Sequence, residues 1–211
     1  MVLMTPINAG SGQPSGLMGA PAVSPRARAI NAFARHLKGG GIPDFSFPAM
    51  AKAVRLTEEQ LGELFPSADV LASAAMSRLF AEADQQFFSG TDGRGWRGLE
   101  NYIALMRDLE PKRGAVSMFV RLRVEAADPE HPAHEILDEL RNRNVEELES
   151  IFKGGVEDGV MSAELDPRRM AFATLGLIEG SQGLKQVIDE GVDVAGTLAE
   201  FVELLKLKYA R

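Results

Sequence analysis

The chain has 211 residues, enough for a small domain joined to a larger one with a proper core. Hydrophobic residues make up 45% and charged residues 25% of a chain without cysteine, which is globular in composition and excludes disulfides, thiolate zinc sites and cysteine nucleophiles. The formal net charge of −7 and pI of about 5.1 mean that any nucleic-acid footprint has to be local.

Residues 1–23 are rich in Gly, Pro and Ser and lack both a basic leading segment and a continuous apolar run. They read as a flexible tail rather than a signal peptide. No stretch reaches the roughly 18–20 apolar residues of a bilayer span, so a cytoplasmic protein without a membrane partner is expected. Ser24-Pro25 supplies the hydroxyl N-cap and first-turn proline of a helix start. Ile30, Phe33, Ala34 and Leu37 follow as one apolar stripe, which Gly39-Gly40-Gly41 ends. Ser46 caps a second helix over 47–54, with Pro48 in its first turn and Met50, Ala51 and Val54 facing inward. After a tight turn at Arg55-Leu56, Thr57 and Gln60 have capping-box spacing for a third helix over 58–64. Phe65-Pro66-Ser67 breaks it, and Ser67 caps a long fourth helix running to about residue 88.

Residues 89–95 read as a loop. Further helices are expected over 96–109, 112–127, 132–157, 167–190 and 194–209, with Asp166-Pro167 as a cap and first-turn proline. No period-two alternation marks a strand. The expected fold is all-α with about nine helices, divided into a tail (1–23), a helix-turn-helix head (24–71) and a larger helical body (72–211). Two short helices across a tight turn define a helix-turn-helix; pattern alone leaves an ordinary helical hairpin equally open.

The segment SFPAMAKAVRLTEEQLGELFPSADVL resembles the head of the tetracycline-repressor (TetR/AcrR) family of regulators, with Met50, Ala51, Leu56, Thr57, Leu61, Phe65, Ser67, Asp69 and Leu71 at matching positions. The C-terminal part is similar to that family's ligand-binding domain at Pro132, Gly159, Leu165-Asp166-Pro167, Ala171 and Glu179-Gly180. The resemblance implies a homodimer with a head that reads double-stranded operator DNA and a body that holds a small ligand, whose binding releases the operator. On that basis Arg26, Arg28, Lys52, Arg55, Thr57 and Gln60 are the expected DNA contacts.

The third helix departs from the family pattern. Arg55 stands where a turn glycine is usual, Gly62 where an aromatic is usual, and Ala68 where a lysine is usual. Residues 46–71 carry two basic side chains (Lys52, Arg55) against four acidic ones (Glu58, Glu59, Glu63, Asp69). Since DNA affinity rests largely on neutralised phosphates, those carboxylates oppose it. Glu58 and Glu59 also complement the dipole of the helix start; Glu63 has no such explanation. Arg26, Arg28, Arg35 and Lys38 bring 24–71 to six basic against five acidic residues. Arg26 and Arg28 suit phosphate or minor-groove contacts, or equally a solvated basic face.

Ala173, Gly176, Gly180 and Gly183 recur on one face of the helix from Pro167. Each glycine inside a helix costs about 1 kcal/mol relative to alanine, and close helix–helix approach would offset this. The resemblance places this helix and the last one at a dimer interface, giving Ala173, Gly176, Gly180, Gly183, Leu198, Phe201 and Leu205 as candidates; packing within the chain is the alternative. Candidate walls of a pocket for a small apolar ligand are Trp96, Tyr102, Met106, Met118, Phe119, Leu122, Phe172 and Leu175, with Arg107, Arg121, Glu179 and Gln182 as polar positions able to orient it. Each apolar member is equally readable as plain core.

No catalytic constellation, cofactor motif or metal site is expected. His131 and His134 flank Pro132 at a helix start and read as solvated capping positions, and Gly39–Gly41 and Gly154-Gly155 lack the strand–loop–helix setting of phosphate cradles. Two functions remain: a ligand-responsive repressor that binds DNA, and a regulator-fold sensor or interaction module whose acidic third helix has lost or altered operator binding.

Overall fold

A computed structural model describes residues 23–39, 44–87, 93–188 and 191–211. The described residues form nine helices: α1 (Pro25–Lys38), α2 (Phe47–Val54), α3 (Glu58–Leu64), α4 (Ala68–Phe87), α5 (Gly95–Leu109), α6 (Arg113–Glu125), α7 (His134–Glu157), α8 (Pro167–Ile188) and α9 (Val194–Tyr209). Strand pairing among them is limited to one isolated bridge, Met161 to Ala210. The fold is all-α, as the periodicity implies. The expected tail apart from Val23 and most of the 89–95 loop lie outside the described residues.

Local chemistry sets most helix starts. Ser24 Oγ accepts from the Ala27 amide at 3.2 Å, and Ser46 Oγ from that of Ala49 at 3.4 Å. Thr57 and Gln60 complete a reciprocal capping box at 3.1 and 3.0 Å. Ser67 accepts from Val70, and Asp166 from Arg169 ahead of α8. The stretch between α6 and α7 is longer than periodicity suggests. There the Asp128 carboxylate accepts from the Glu130 amide at 3.0 Å and His131 Nδ1 from the Ala133 amide at 3.1 Å. These bonds favour turns over helix, so α6 ends at Glu125 and α7 begins at His134 rather than at 127 and 132.

Two hydrophobic cores organise the chain. The first joins Phe33, Leu37, Met50, Leu61, Phe65 and Leu71 of the head to Ala75 and Met76 of α4, Met118 and Leu122 of α6, and Leu137 and Leu140 of α7. The second packs α5, α7, α8 and α9 around Leu99, Leu148, Phe152, Leu175 and Leu198. The head is therefore seated on α6 and the first half of α7. α4 extends from the head core past its edge and also packs against α5.

Candidate ligand cleft and helix-turn-helix head

The turn between α2 and α3 is made by Arg55 in the left-handed conformation (φ 61°), the one non-glycine residue with positive φ among those described. Leu61 and Phe65 then anchor α3 in the head core, leaving Glu58, Glu59, Gln60, Gly62 and Glu63 exposed. Nothing lies within 4 Å of the Cβ position of Gly62, so the missing aromatic leaves open space there.

Several residues expected to meet DNA are held by the head itself. The Arg26 guanidinium donates to the Leu64 carbonyl and stacks 4.4 Å over the Phe65 ring, closing the C-terminus of α3. Arg28 donates to the Val23 carbonyl at 3.0 Å. The side chains of Thr57 and Gln60 are engaged in the capping box. Lys52 and Arg55 are exposed. Arg28, Arg35, His36 and Arg55 instead line a groove between α1 and the α2–α3 turn. The head's positive charge thus lies beside α3, not on it.

In the body, α4, α5, α6, α7 and α8 line a cleft with a cavity volume of about 100 Å³ that opens to solvent. Its walls are mostly apolar: Met76, Leu79 and Phe80 from α4, Tyr102, Leu105 and Met106 from α5, Phe119 from α6 and Leu175 and Ile178 from α8. Phe80 and Phe119 meet edge to face, ring centroids 5.3 Å apart. Polar groups gather at one side. Glu179 pairs with Arg123 at 3.1 Å, and the Tyr102 hydroxyl donates to Glu147 at 3.2 Å. A second opening, bounded by Glu110, Arg113 and Lys185, shares Met106, Leu109, Val116 and Gln182 with the cleft.

Of the expected wall residues, Tyr102, Met106, Phe119, Leu175 and Glu179 meet around this cleft. Four do not. Trp96 donates its indole N–H to the Val160 carbonyl at 3.1 Å, tying the start of α5 to the turn after α7. Met118 and Leu122 turn into the core shared with the head. Phe172 is 53% exposed, with the Arg168 guanidinium 5.5 Å over its ring. Arg107 is exposed, and Arg121 pairs with Glu125 at 2.8 Å. The structure adds α4 to the expected walls; its signal in the sequence is the apolar set Met76, Leu79, Phe80 and Ala83 on a helix capped within the head.

The sequence matches no family model and no curated protein. Solved structures do match. A TetR-family transcriptional regulator from a Rhodococcus species has a TM-score of 0.65 at 19% identity, over 85% of this chain and 97% of its own. SmeT, the repressor of the Stenotrophomonas maltophilia multidrug efflux pump SmeDEF, has 0.64 at 14% identity, over 89% and 91%. A TetR-family regulator from Pectobacterium atrosepticum has 0.54 at 21%, over 86% and 90%. The chain has the TetR/AcrR regulator fold.

In this TetR-type fold the small-residue stripe of α8 lies on the outside. Ala173, Gly176 and Gly180 are exposed, Gly183 is partly so, and beyond the backbone of α8 and each glycine's chain neighbours nothing lies within 4 Å of a Cβ built on any of the three glycines. Packing within the chain therefore does not account for them. The same helix exposes Phe172, Leu184, Val187 and Ile188, and α9 exposes Leu204 and Leu207. The expectation for α9 needs correcting. Leu198 and Leu205 are buried in the second core and Phe201 packs against it, so Leu204 and Leu207 carry its outward apolar surface.

The histidines of the α6–α7 stretch are built into the loop rather than solvated. His134 Nδ1 lies 2.8 Å from the Ala126 carbonyl, and His131 Nε2 lies 3.8 Å from Asp69. Asp69, Glu125 and His131 bring one ligand-type atom each within 4.8 Å of one another. Arg121 already balances Glu125 there.

Proposed function

We propose that this protein is a ligand-responsive transcriptional regulator, not an enzyme. In this reading a homodimer binds operator DNA through its two heads and releases it when a small apolar ligand enters the cleft of the body. One observation carries it: α4 is a single helix with Leu71, Ala72 and Ala75 in the head core and Met76, Leu79, Phe80 and Ala83 on the cleft wall. A ligand that favours one placement of the cleft-side half of α4 acts directly on the head, which is the differential contact that a switch requires. The exposed apolar and glycine face of α8 supports the dimer. Light scattering at micromolar concentration should give twice the chain mass. Genomic fragments should be retained at low salt and lost with a steep negative salt slope.

A second reading has its own support. Glu58, Glu59 and Glu63 are all exposed on α3, while Arg26 bonds the head's own backbone and Arg28 the carbonyl of Val23 just before it. This suits a sensor or interaction module with lost or altered operator binding. Dimers that take up ligand yet retain no fragment even at low salt would establish it.

A further inference from the structure

Gln182 stands on α8 in the wall shared by the cleft and its neighbouring opening, only 5% exposed. Its side-chain amide nitrogen donates to the Met106 sulfur at 3.7 Å, while its Oε1 is fully enclosed and has no hydrogen-bond partner. The orientation follows from chemistry. A thioether accepts weakly and cannot donate, so Met106 selects the NH₂ end and the carbonyl oxygen is left over. A buried amide oxygen without a donor is unfavourable, and a leucine or methionine here would extend the apolar wall without that penalty. Among the charged groups near the two openings, Glu179 is ion-paired with Arg123 at 3.1 Å, although Arg123 Nη1 makes no hydrogen bond, and Lys185 is paired with Glu110 at 2.8 Å.

We infer that the cleft selects neutral, mainly apolar ligands carrying one hydrogen-bond donor, a hydroxyl or N–H, set against Gln182 Oε1. The inference rests on the cleft being the ligand site. The apolar body of such a ligand lies among Leu105, Met106, Val116 and Phe119, and its donor meets the amide oxygen, closed to solvent in this structure, once the Gln182 side chain turns toward the cleft. A ligand of the same shape without a donor leaves that oxygen unmet, and an anion is placed against the amide oxygen in a wall that also carries the carboxylates of Glu147 and Glu179.

The test is calorimetric titration of the full chain with 1-naphthol, its isostere 1-methylnaphthalene, which lacks the donor, and the anion 1-naphthoate. The proteins are wild type and Gln182→Leu, with Gln182→Met in its place if the leucine variant does not fold. The expected result is a ratio of 1-naphthol to 1-methylnaphthalene affinity that falls by about tenfold or more in the variant, with 1-methylnaphthalene binding kept and 1-naphthoate the weakest ligand of wild type. An unchanged ratio with both probes bound, or 1-naphthoate binding tighter than 1-naphthol, overturns the inference and leaves the cleft as a ligand site. Failure of all three probes to bind wild type overturns the cleft reading itself, and this inference with it.

Discussion

Gly155 of α7 meets Gly95 of α5 backbone to backbone: a Cβ on Gly155 would stand 2.8 Å from the Gly95 Cα and 2.6 Å from the Met161 sulfur. Gly98 is as tightly held, its Cβ position 2.7 Å from Ile151 side-chain carbons and 2.3 Å from the Gly93 carbonyl oxygen. Within the chain, the close helix approach that glycines permit occurs where α5 crosses α7, whereas the glycines of α8 face open space. Gly155→Ala should destabilise by about 1–3 kcal/mol through overpacking. Gly180→Ala, with open space around it, should stabilise a single subunit by up to about 1 kcal/mol through helix propensity while weakening a dimer that uses that face. Urea unfolding at several protein concentrations separates the two terms, because only the second depends on concentration. Equal effects of the two substitutions would refute the contrast.

That the packed glycines of α5 and α7 gave no signal in the sequence is physical. A helical glycine carries no side chain to reveal its direction, so spacing shows a shared face but not what that face meets. The caps at Ser24, Ser46, Thr57, Ser67 and Asp166 were legible because each is a contact within three residues. The cleft was legible in half. Met118 and Phe119 are adjacent on α6, which lies between the head and α8 and is apolar toward both. Periodicity identifies both as inward without saying which side each faces. Trp96 and Phe172 misled because a large aromatic near a helix start suits a wall, whereas here one is tied by its N–H and the other lies under an arginine. Gln182 stood among the polar positions, but its orphaned oxygen needed coordinates.

Arg55 closes α2 in the left-handed region, where the Cβ of an L-residue crowds the following carbonyl. Arg55→Gly removes that conflict and partly offsets the gain by loosening the unfolded chain. A net stabilisation of roughly 0.5–1 kcal/mol is expected, a rise in Tm of about 1–4 °C for a chain of this size. Calorimetry checks it. A lower Tm would mean that the arginine side chain holds the turn by contacts that outweigh the strain.

Two carboxylates give the stability curve an acid limb. The Lys38 ammonium donates to Glu82 and, against partial desolvation, holds it below the ordinary carboxylate value, aided by Arg78. Arg94 does the same for Asp158 at the end of α7. Both folded-state values are depressed, so their stabilisation is complete above the unfolded carboxylate value of about 4. It is lost as pH falls through the folded values. Lys38→Met should lower stability at pH 7 by less than about 1 kcal/mol, since both partners are over a third exposed. At pH 2 the effect should shrink, and the variant and wild-type curves should draw together. Curves that stay parallel from pH 7 to pH 2 would show that the Lys38–Glu82 tie contributes nothing.

Glu63 is the one α3 carboxylate outside the first turn, so the helix dipole gives it no support. It is exposed one position beyond the open space at Gly62, on the helix that a helix-turn-helix head lays in the major groove. If α3 approaches DNA, Glu63→Gln removes a repulsion and Glu63→Lys adds a phosphate-seeking charge. Retention of genomic fragments should then rise in the order wild type, Gln, Lys. The lysine variant should also steepen the dependence of log affinity on log salt by about one per head. The proteins should be equally stable, because position 63 is solvated in each. An unchanged salt slope in the lysine variant would place α3 away from the phosphates. It would leave the groove lined by Arg28, Arg35 and Arg55 as the head's polyanion-facing surface.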